Sequence, residues 1–290
     1  MQGKVFRFDG SQDCVLEKLD TSVEKNSELK EHCLTQTKEN LIKMAQVQDA
    51  LYADGREGLI VVLQAMDAAG KDSTIKHVMT GLNPQGVTVH SFKQPSKEDL
   101  SHDYLWRVNR CIPPRGSIAI FNRSYYEDVL AVQLHALHKT YQMAPRVLKD
   151  KDDEFFKKRY RQICGFEEYL YDNSYRIVKI FLHVSKEKQK ERFLERINVP
   201  EKNWKFSSDD LRDRSLFHQY QSLYSQVISE TASQHSPWHV VPADRKWYTR
   251  FLVSQIVLSA MEECCHTYPE ISPELKASLD ECRVQLEKEE

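Results

Sequence analysis

The chain has 290 residues, of which 40% are hydrophobic and 29% are charged, and its mean hydropathy is -0.60. These values indicate a soluble globular protein and argue against a membrane-resident class, since no run approaches the roughly 18 apolar residues that a spanning helix needs. The formal charge of -2 excludes a generically basic nucleic-acid binder. The length predicts one large domain or two small ones.

The charge is unevenly distributed along the chain. Residues 261–290 carry nine acidic and three basic side chains, whereas residues 1–260 carry 38 basic and 34 acidic ones. The segment 176–215 alone has eleven Lys and Arg against seven Asp and Glu. A run of this kind is either a solvated helix face or a basic surface that binds a polyanion.

The cysteines indicate a reducing compartment. There are seven of them, an odd count, and none forms a C-x-x-C pair, which predicts free thiols and a cytoplasmic location. Cys264, Cys265 and His266 are consecutive and cannot all face one ion, so a zinc site is not expected. The N-terminus, MQGKVFRFDGSQD, lacks an apolar segment followed by a cleavage site, and a secretory signal is not expected either.

The N-terminal part of the chain predicts an arm followed by a long helix. Residues 1–26 are polar and of mixed charge, which indicates an irregular arm packed on the main body. Apolar residues at helical spacing then predict an amphipathic helix over 27–54. Gly55 is expected to end it.

Strands and helices alternate through the rest of the chain. Aliphatic runs that are typical of buried parallel strands occur at 59–63, 87–92, 117–121, 177–184 and 238–241. Helices are predicted at 71–81, 97–111, 153–173, 186–197 and 246–264. The alternation predicts a parallel α/β sheet in one domain, residues 27–265. Residues 266–290 are expected to form an acidic, helical C-terminal extension.

A phosphate-binding loop is predicted directly after the first of these strands. Residues 63–74 read LQAMDAAGKDST, and a strand, a loop, Gly-Lys and a helix in that order are the context of a P-loop. Backbone N–H groups would form the anion site, Lys71 would reach the phosphate oxygens, and Gly70 permits close approach. The strict pattern is broken at Ala65 and Asp72, so a chance Gly-Lys at a strand–helix junction remains the alternative.

Asp67 places a carboxylate inside this loop. An anion that faces phosphates is costly unless a cation lies between them, so Asp67 predicts a Mg²⁺ ligand or a base at the reacting oxygen. Asp72 is expected to interact favourably with the helix dipole at the N-terminus of the following helix. Ser73 or Thr74 is available to replace the missing P-loop hydroxyl.

A second polar cluster follows the strand at 117–121. It consists of residues 122–128, NRSYYED, at the strand end where open α/β sheets bind ligands. Arg123 is suited to bidentate contacts with phosphate. The alternative is that Arg123 and Glu127, four residues apart, only pair with each other.

At these two segments the chain resembles the polyphosphate kinase 2 family, P-loop kinases that move phosphoryl groups between inorganic polyphosphate and nucleotides. The D-A-A-G-K-D loop, the N-R-S-Y-Y-E-D turn and a later N-W-K-F-S segment occur in family order, and the likeness spans residues 15–265. It implies a three-layer α/β/α P-loop kinase fold with a parallel sheet and a helical lid at 185–215. Asn122, where many members have Asp, and Asp128 resemble the subgroup that accepts both AMP and ADP.

The resemblance also implies roles for individual residues. Asp67, Lys71 and Arg123 would be catalytic, and Asp67 and Glu127 would hold Mg²⁺. The nucleotide would be bound by Asn122, Glu127 and Asp128. Phosphate and polyphosphate would be bound by Ala68, Ala69, Gly70, Lys71, Asp72, Ser73, Arg123, Arg192, Arg196 and Lys205.

The lid is also expected from the residues themselves. Arg192 and Arg196 share one helix face, and this face has few apolar neighbours, which predicts that it lies outside the core. Lys202, Lys205 and Arg212 extend the basic stretch, which suits a polymer with one charge per phosphate.

We therefore expect a Mg²⁺-dependent kinase that transfers phosphoryl groups reversibly between inorganic polyphosphate and ADP, and also AMP. Neither nucleic acid nor membrane is an expected partner, and a homo-oligomer, dimer or tetramer, is expected with residues 266–290 as a subunit contact. One alternative is an ATP-dependent nucleoside or nucleotide kinase. The other is a nucleotide switch or polyphosphate-binding protein without turnover.

Overall fold

The fold is built on one six-stranded sheet. In the computed structural model, which describes residues 6–289, the strands are β1 (Phe6–Phe8), β2 (Gly58–Ala65), β3 (Val87–Ser91), β4 (Ile118–Asn122), β5 (Tyr175–His183) and β6 (Trp238–Pro242). Their order across the sheet is β1-β6-β5-β2-β4-β3. All pairs are parallel except β1 with β6, which is antiparallel.

Twelve α-helices occur within residues 6–289, together with short 3₁₀ turns. They are α1 (Ser27–Asp54), α2 (Lys71–Val78), α3 (Lys97–Ser101), α4 (Trp106–Asn109), α5 (Ala131–Leu134), α6 (Pro145–Leu148), α7 (Asp152–Asp172), α8 (Lys186–Asn198), α9 (Ser208–Ser215), α10 (Phe217–Thr231), α11 (Lys246–Glu263) and α12 (Pro273–Leu286). None of them combines the length and the apolar character that crossing a bilayer requires.

Helices cover both faces of the sheet. Along β2, Leu59, Val61 and Leu63 point into one apolar cluster, which α1 and α11 complete. Ile60 and Val62 point into a second cluster, which α7 and α10 complete. Because side chains alternate across a strand, a strand covered on both faces is apolar on both, as β2 is from Leu59 to Leu63. The predicted three-layer α/β/α fold with a parallel-dominated sheet is confirmed.

The predicted helix over 97–111 is wrong as a single element. The chain forms α3 and α4 instead, separated at residues 102–105. Asp103 causes the restart, because its side-chain oxygen accepts the Leu105 N–H at 2.9 Å and its carbonyl accepts the Trp106 N–H at 3.0 Å. A side chain that bonds its own downstream backbone in this way competes with helix continuation.

The N-terminal arm is more ordered than its composition indicates, although its residues 1–5 lie outside the described residues. Phe6–Phe8 forms β1 at the edge of the sheet. Further on, the Cys14 and Leu16 N–H groups donate to Ser229 and Ser225 of α10 at 2.8 and 3.0 Å. Neither β1 nor α10 is predicted from the sequence, and the contacts between these parts of the chain are long-range.

The C-terminal extension makes few contacts with the rest of the protein. Thr267 donates through its N–H to Asp54 at 2.9 Å, and the Tyr268 hydroxyl donates to Asp49 at 2.6 Å. Every residue from 269 to 289 is exposed, including all of α12. All seven cysteines are free thiols.

A chain that ends after Tyr268 is expected to unfold within about 2 °C of the full-length protein, because the removed residues bury nothing. A matched chain that ends after Cys264 also loses the bonds to Asp54 and Asp49, and its Tm should fall by about 4 °C. Differential scanning calorimetry gives both values. Sedimentation velocity on the chain that ends after Cys264 tests the predicted subunit contact. An unchanged sedimentation coefficient would count against that contact.

Candidate active site

The loop between β2 and α2 turns the chain sharply at the carboxyl edge of the sheet. Ala68 and Gly70 adopt positive φ angles of 60° and 105°. Glycine adopts this conformation readily, whereas Ala68 pays a cost of about 1–2 kcal/mol. Among the described residues no side chain caps the amino terminus of α2. Its first-turn N–H groups are therefore available to an anion.

Lys71 points back under this loop. Its Nζ donates to the carbonyl of Ala65 at 2.7 Å, and the side chain is buried. Burial, together with the nearby Arg123 charge, lowers the pKa of Lys71 to about 8. The carboxylates of Asp67 and Glu127 oppose this shift. An anionic ligand would do the same, so Lys71 is placed to gain from binding phosphate.

The turn after β4 lies directly beside the loop. β4 runs parallel to β2 with Asn122 opposite Leu63, and the Arg123 N–H extends the ladder by donating to the Leu63 carbonyl at 3.0 Å. Arg123 has a positive φ of 63°, and its Nη2 donates to Asp67 Oδ1 at 2.7 Å. This ion pair joins two motifs that are 56 residues apart in the chain.

Glu127 is the second carboxylate of the cluster. Burial raises its pKa, and the charges of Arg123 and Lys71 oppose the rise. In the orientation of the Gln64 amide that satisfies its neighbours, the Gln64 nitrogen donates to Glu127 Oε1 at 3.0 Å. The carboxylates of Glu127 and Asp67 raise the pKa of the Arg123 guanidinium. Arg123 forms its ion pair and hydrogen bond with Asp67, so the alternative in which Arg123 and Glu127 pair only with each other is wrong.

These side chains surround a cavity of about 50 Å³. Its charged lining residues are Asp67, Glu127, Asp213 and a single guanidinium, that of Arg123. Three acidic side chains outnumber the one guanidinium of the lining, an excess of negative charge that favours binding of an anionic substrate together with a cation. The uncharged lining comes from Ala65, Met66, Ala131, Gln189, Tyr220 and Tyr224.

Arg192 takes a different place from the one expected. It is buried, and its guanidinium donates to four backbone carbonyls, those of Ala68 at 3.0 Å, Ala69 at 2.7 Å, Ala243 at 2.7 Å and Asp244 at 3.3 Å. The prediction that the helix face with Arg192 lies outside the core is wrong. A guanidinium tolerates burial here because the carbonyls satisfy its donors.

Two other lid cations lie near the loop. Lys205 Nζ is 3.8 Å from Asp72 Oδ2, and Asn122 Nδ2 donates to Asp72 Oδ1 at 2.8 Å. Arg196 Nη1 is 3.4 Å from Asp210 Oδ2, within the lid itself. Asp72 thus connects the loop to the β4 end and to the lid.

Asp128 lies apart from its neighbour Glu127. It is buried beside Arg159, with 2.8 Å between Asp128 Oδ2 and Arg159 Nε, and it does not line the cavity. Consecutive residues of the 3₁₀ turn at Tyr125–Val129 face different directions, so Glu127 reaches the cavity and Asp128 does not. Ser73 lies at the loop, and its hydroxyl donates to the Gly70 carbonyl at 3.3 Å.

Sequence reasoning missed several residues of the cavity. Gln189 donates to the Asp67 carbonyl at 3.1 Å, and Asp213 reaches the cavity from α9. Burial raises the pKa of Asp213, and His135, whose ring nitrogen lies 2.9 Å away, opposes the rise. No motif marks these positions. The amphipathic pattern of α8 and α9 does not show which of their polar residues face the loop.

Known proteins resemble this chain along most of its length. A family model described as Polyphosphate kinase 2 (PPK2) matches residues 27–268. The ADP-polyphosphate phosphotransferase of Rhodopseudomonas palustris is 44% identical over 283 residues, which are 98% of this chain and 98% of that protein. The AMP/ADP-polyphosphate phosphotransferase of Meiothermus ruber is 44% identical over 228 residues, or 79% of this chain and 80% of that protein.

A solved structure agrees with the sequence matches. The crystal structure of polyphosphate kinase 2 from Arthrobacter aurescens TC1 superposes with a TM-score of 0.80 at 33% sequence identity, and covers 91% of this chain and 92% of that one. The resemblance thus extends over the sheet, the loop, the turn and the lid. Together with the family match, it establishes that this chain belongs to the polyphosphate kinase 2 family.

Proposed function

We propose that this protein transfers phosphoryl groups reversibly between inorganic polyphosphate and ADP, and that it also accepts AMP. The observation that carries the proposal is the cluster of Lys71, Arg123, Asp67 and Glu127 at the ends of two adjacent parallel strands. The names of the relatives from Rhodopseudomonas palustris and Meiothermus ruber support polyphosphate, ADP and AMP as the substrates. The cluster supports the chemistry, because phosphoryl transfer needs cations and positioned carboxylates more than acid–base groups.

The loop is the proposed phosphate site. Arg192 holds the carbonyl of Ala69, and in a trans peptide the N–H of the next residue points the opposite way, so the Gly70 N–H points away from Arg192. Ala68, Asp72 and Ser73 complete the loop and the first turn of α2 around the phosphate. Lys71 and Arg123 supply positive charge, and Arg196 and Lys205 of the lid are proposed contacts for the polymer.

Asp67 and Glu127 are the residues that would hold Mg²⁺. Both carboxylates line the same cavity, whose excess negative charge favours a cation. Within residues 6–289 there is no group of three or more His, Cys, Asp and Glu arranged to hold a metal ion. Two carboxylates nevertheless fit Mg²⁺, which commonly takes its other ligands from substrate phosphates and water. When bound, the ion would neutralise charge on the two reacting phosphates.

Bringing two anions together is the main chemical difficulty of this reaction. The attacking phosphate oxygen of ADP or AMP is already ionised, so no residue needs to remove a proton from it. Lys71 and Arg123 bind the phosphoryl oxygens and stabilise charge that shifts between donor and acceptor. Before substrate binds, the ion pair with Asp67 holds Arg123 in place. Asn122 is proposed to contact the nucleotide. Asp128, paired with Arg159, would need to rearrange to do so.

The lid must move during the cycle. A cavity of about 50 Å³ is smaller than the roughly 300 Å³ or more that small-molecule sites occupy. An ion pair between Lys205 and Asp72 ties the lid to the loop in the closed arrangement. Opening would admit substrate, and closure would exclude the water that would otherwise hydrolyse the donor.

The donor distinguishes this proposal from an ATP-dependent nucleotide kinase. Purified protein with ADP, Mg²⁺ and polyphosphate should form ATP, and omission of polyphosphate should abolish its formation. Initial rates with AMP, ADP, GDP and CDP on the same polyphosphate preparation define the acceptor. Phosphorylation of AMP by ATP without any transfer from polyphosphate would contradict the proposal and favour the alternative. Binding of polyphosphate without turnover would favour a binding protein.

The pKa of Lys71 predicts a pH dependence. In the substrate-free enzyme the ammonium loses its proton as the pH rises past about 8, so phosphate binding should weaken on the alkaline side. We expect kcat/KM for polyphosphate to fall by about tenfold per pH unit well above that value. Lys71→Met should lose about 100-fold or more in kcat/KM. A flat profile between about pH 7 and 9.5 would exclude this role for the Lys71 ammonium.

The two lid arginines should respond differently to substitution. Arg192→Met leaves buried loop carbonyls without a donor, so the free energy of unfolding should fall by about 2 kcal/mol or more, together with activity. Arg196 lies one turn further along the same face of α8 and is only half-buried, so Arg196→Met should raise KM for polyphosphate several-fold at an unchanged Tm. Urea denaturation and steady-state kinetics on both variants give the comparison. Equal stability of the two variants would contradict a stabilising role for the buried hydrogen bonds that Arg192 donates to the four backbone carbonyls.

A further inference from the structure

A buried polar network lies beneath the turn that carries Arg123 and Glu127. It comprises Tyr125, Tyr126, Glu167, Lys179 and Ser236. The hydroxyls of Tyr125 and Tyr126 both donate to Glu167 Oε1 at 2.7 Å. Lys179 Nζ and the Ser236 hydroxyl both donate to Glu167 Oε2 at 2.6 Å. The carboxylate and the ammonium are 1% and 0% exposed.

Every polar group of the network has partners. Each oxygen of Glu167 receives two donors, which fills its acceptor capacity. Lys179 also donates to the Thr231 carbonyl at 2.7 Å and to the Tyr126 hydroxyl at 3.0 Å. Tyr126 therefore donates one hydrogen bond and accepts another. A fully satisfied network of this kind fixes its members in one arrangement.

Stability alone does not account for an ion pair at this position. Desolvation of two charges costs several kcal/mol per ion, and apolar replacements of buried pairs are often neutral or stabilising. The sheet around Lys179 is otherwise apolar, so an aliphatic residue would suit β5 at this position. The network joins α7, β5, the end of α10 and the segment before β6 to the turn after β4. Of these five elements, the turn carries the charged residues of the candidate site, Arg123 and Glu127, whereas α10 lines the cavity with Tyr220 and Tyr224.

The two tyrosines sit between the two site residues in the chain. Arg123 precedes them and Glu127 follows, and both face the cavity, whereas the tyrosine rings pack into the core against Phe166 and Trp238. Backbone bonds fix the turn only partly, through Arg123 N–H to Leu63 and Glu127 N–H to Ser124. Arg123 holds a positive φ of 63°, which persists only where the surroundings impose it.

We propose that the buried polar network is a positioning device for phosphoryl transfer, and that Tyr125 and Tyr126 are positioning residues. Their hydroxyls anchor the turn to the Glu167–Lys179 pair, and this anchor sets the reach of the Arg123 guanidinium and the Glu127 carboxylate. The inference rests on the proposed function, since it assigns these two side chains to the transfer reaction. Neither tyrosine touches the substrate.

The double variant Tyr125→Phe/Tyr126→Phe tests the proposal, because it removes two hydroxyls and leaves the ion pair and the packing in place. Misplaced catalytic groups are costly, so kcat should fall by about tenfold or more while KM for ADP and polyphosphate stays within about twofold. Hydrogen exchange at the amides of residues 123–127 should accelerate by about tenfold or more, because the turn loses its anchor.

Tyr160→Phe is the matched control. Tyr160 lies on α7, as Glu167 does, is buried, and donates a single hydrogen bond to Gln133 at 3.0 Å. Its variant removes one buried hydroxyl away from the turn, so kcat and exchange at residues 123–127 should stay within about twofold of the parent. Glu167→Gln leaves Lys179 without its counter-charge and is expected to fold poorly, so it does not replace the tyrosine variants.

The outcomes separate this inference from the proposed function. An unchanged kcat in the double variant, or unchanged exchange at residues 123–127, would overturn the positioning role. The exchange measurement decides this without any turnover. Loss of kcat in Tyr160→Phe to the same degree would also overturn it, because the effect would then be general to the core. Absence of polyphosphate-dependent transfer in the parent enzyme would overturn the proposed function instead.

Discussion

The parallel pairing of β2 with β4 is the constraint on which the site depends. It places Asn122 opposite Leu63, and the next N–H, that of Arg123, bonds the Leu63 carbonyl. The loop after β2 and the turn after β4 therefore leave the sheet side by side, within reach of the ion pair between Asp67 and Arg123. Parallel strands end at the same edge, so this edge is where two separate motifs can share one ligand.

The positive charges of the lid segment are more fully balanced by acidic side chains than the count of charged residues in the sequence indicates. The basic surplus of 176–215 suggested an open positive surface, yet many lid cations are paired with acids nearby. Lys202 pairs with Glu195, Lys188 with Glu191 and Arg196 with Asp210. The Lys202–Glu195 pair is exposed, and exposed pairs are weak, so a polyanion could exchange for the acidic partner there at little cost. If the segment 185–215 opens as proposed, loss of these pairs would leave it cationic, which suits a polyanionic substrate.

Buried polar groups support the site from two sides. Arg192 holds the loop by its carbonyls, and the Glu167–Lys179 pair holds the turn by two tyrosine hydroxyls. An apolar core would stabilise the fold as well, but it would fix the orientation of neither segment, because apolar contacts are non-directional. Hydrogen bonds have preferred distances and angles, and a site for phosphoryl transfer requires such directional control.

The sequence by itself determined the central strands, the long helices other than α10 and the two chemical motifs, because strand burial, helical periodicity and P-loop chemistry are local properties of the chain. It also identified Asp67, Lys71, Arg123 and Glu127, which the structure brings to one cavity or its margin. Only the tertiary structure decided that Arg192 turns inward and that Asp128 turns away from Glu127. It also decided that β1 adds to the sheet and that Asp213 reaches the cavity from the lid. The physical reason is that the positions of these side chains are set by partners distant in the chain. A local sequence pattern does not show which of those partners a polar side chain will contact in the folded protein.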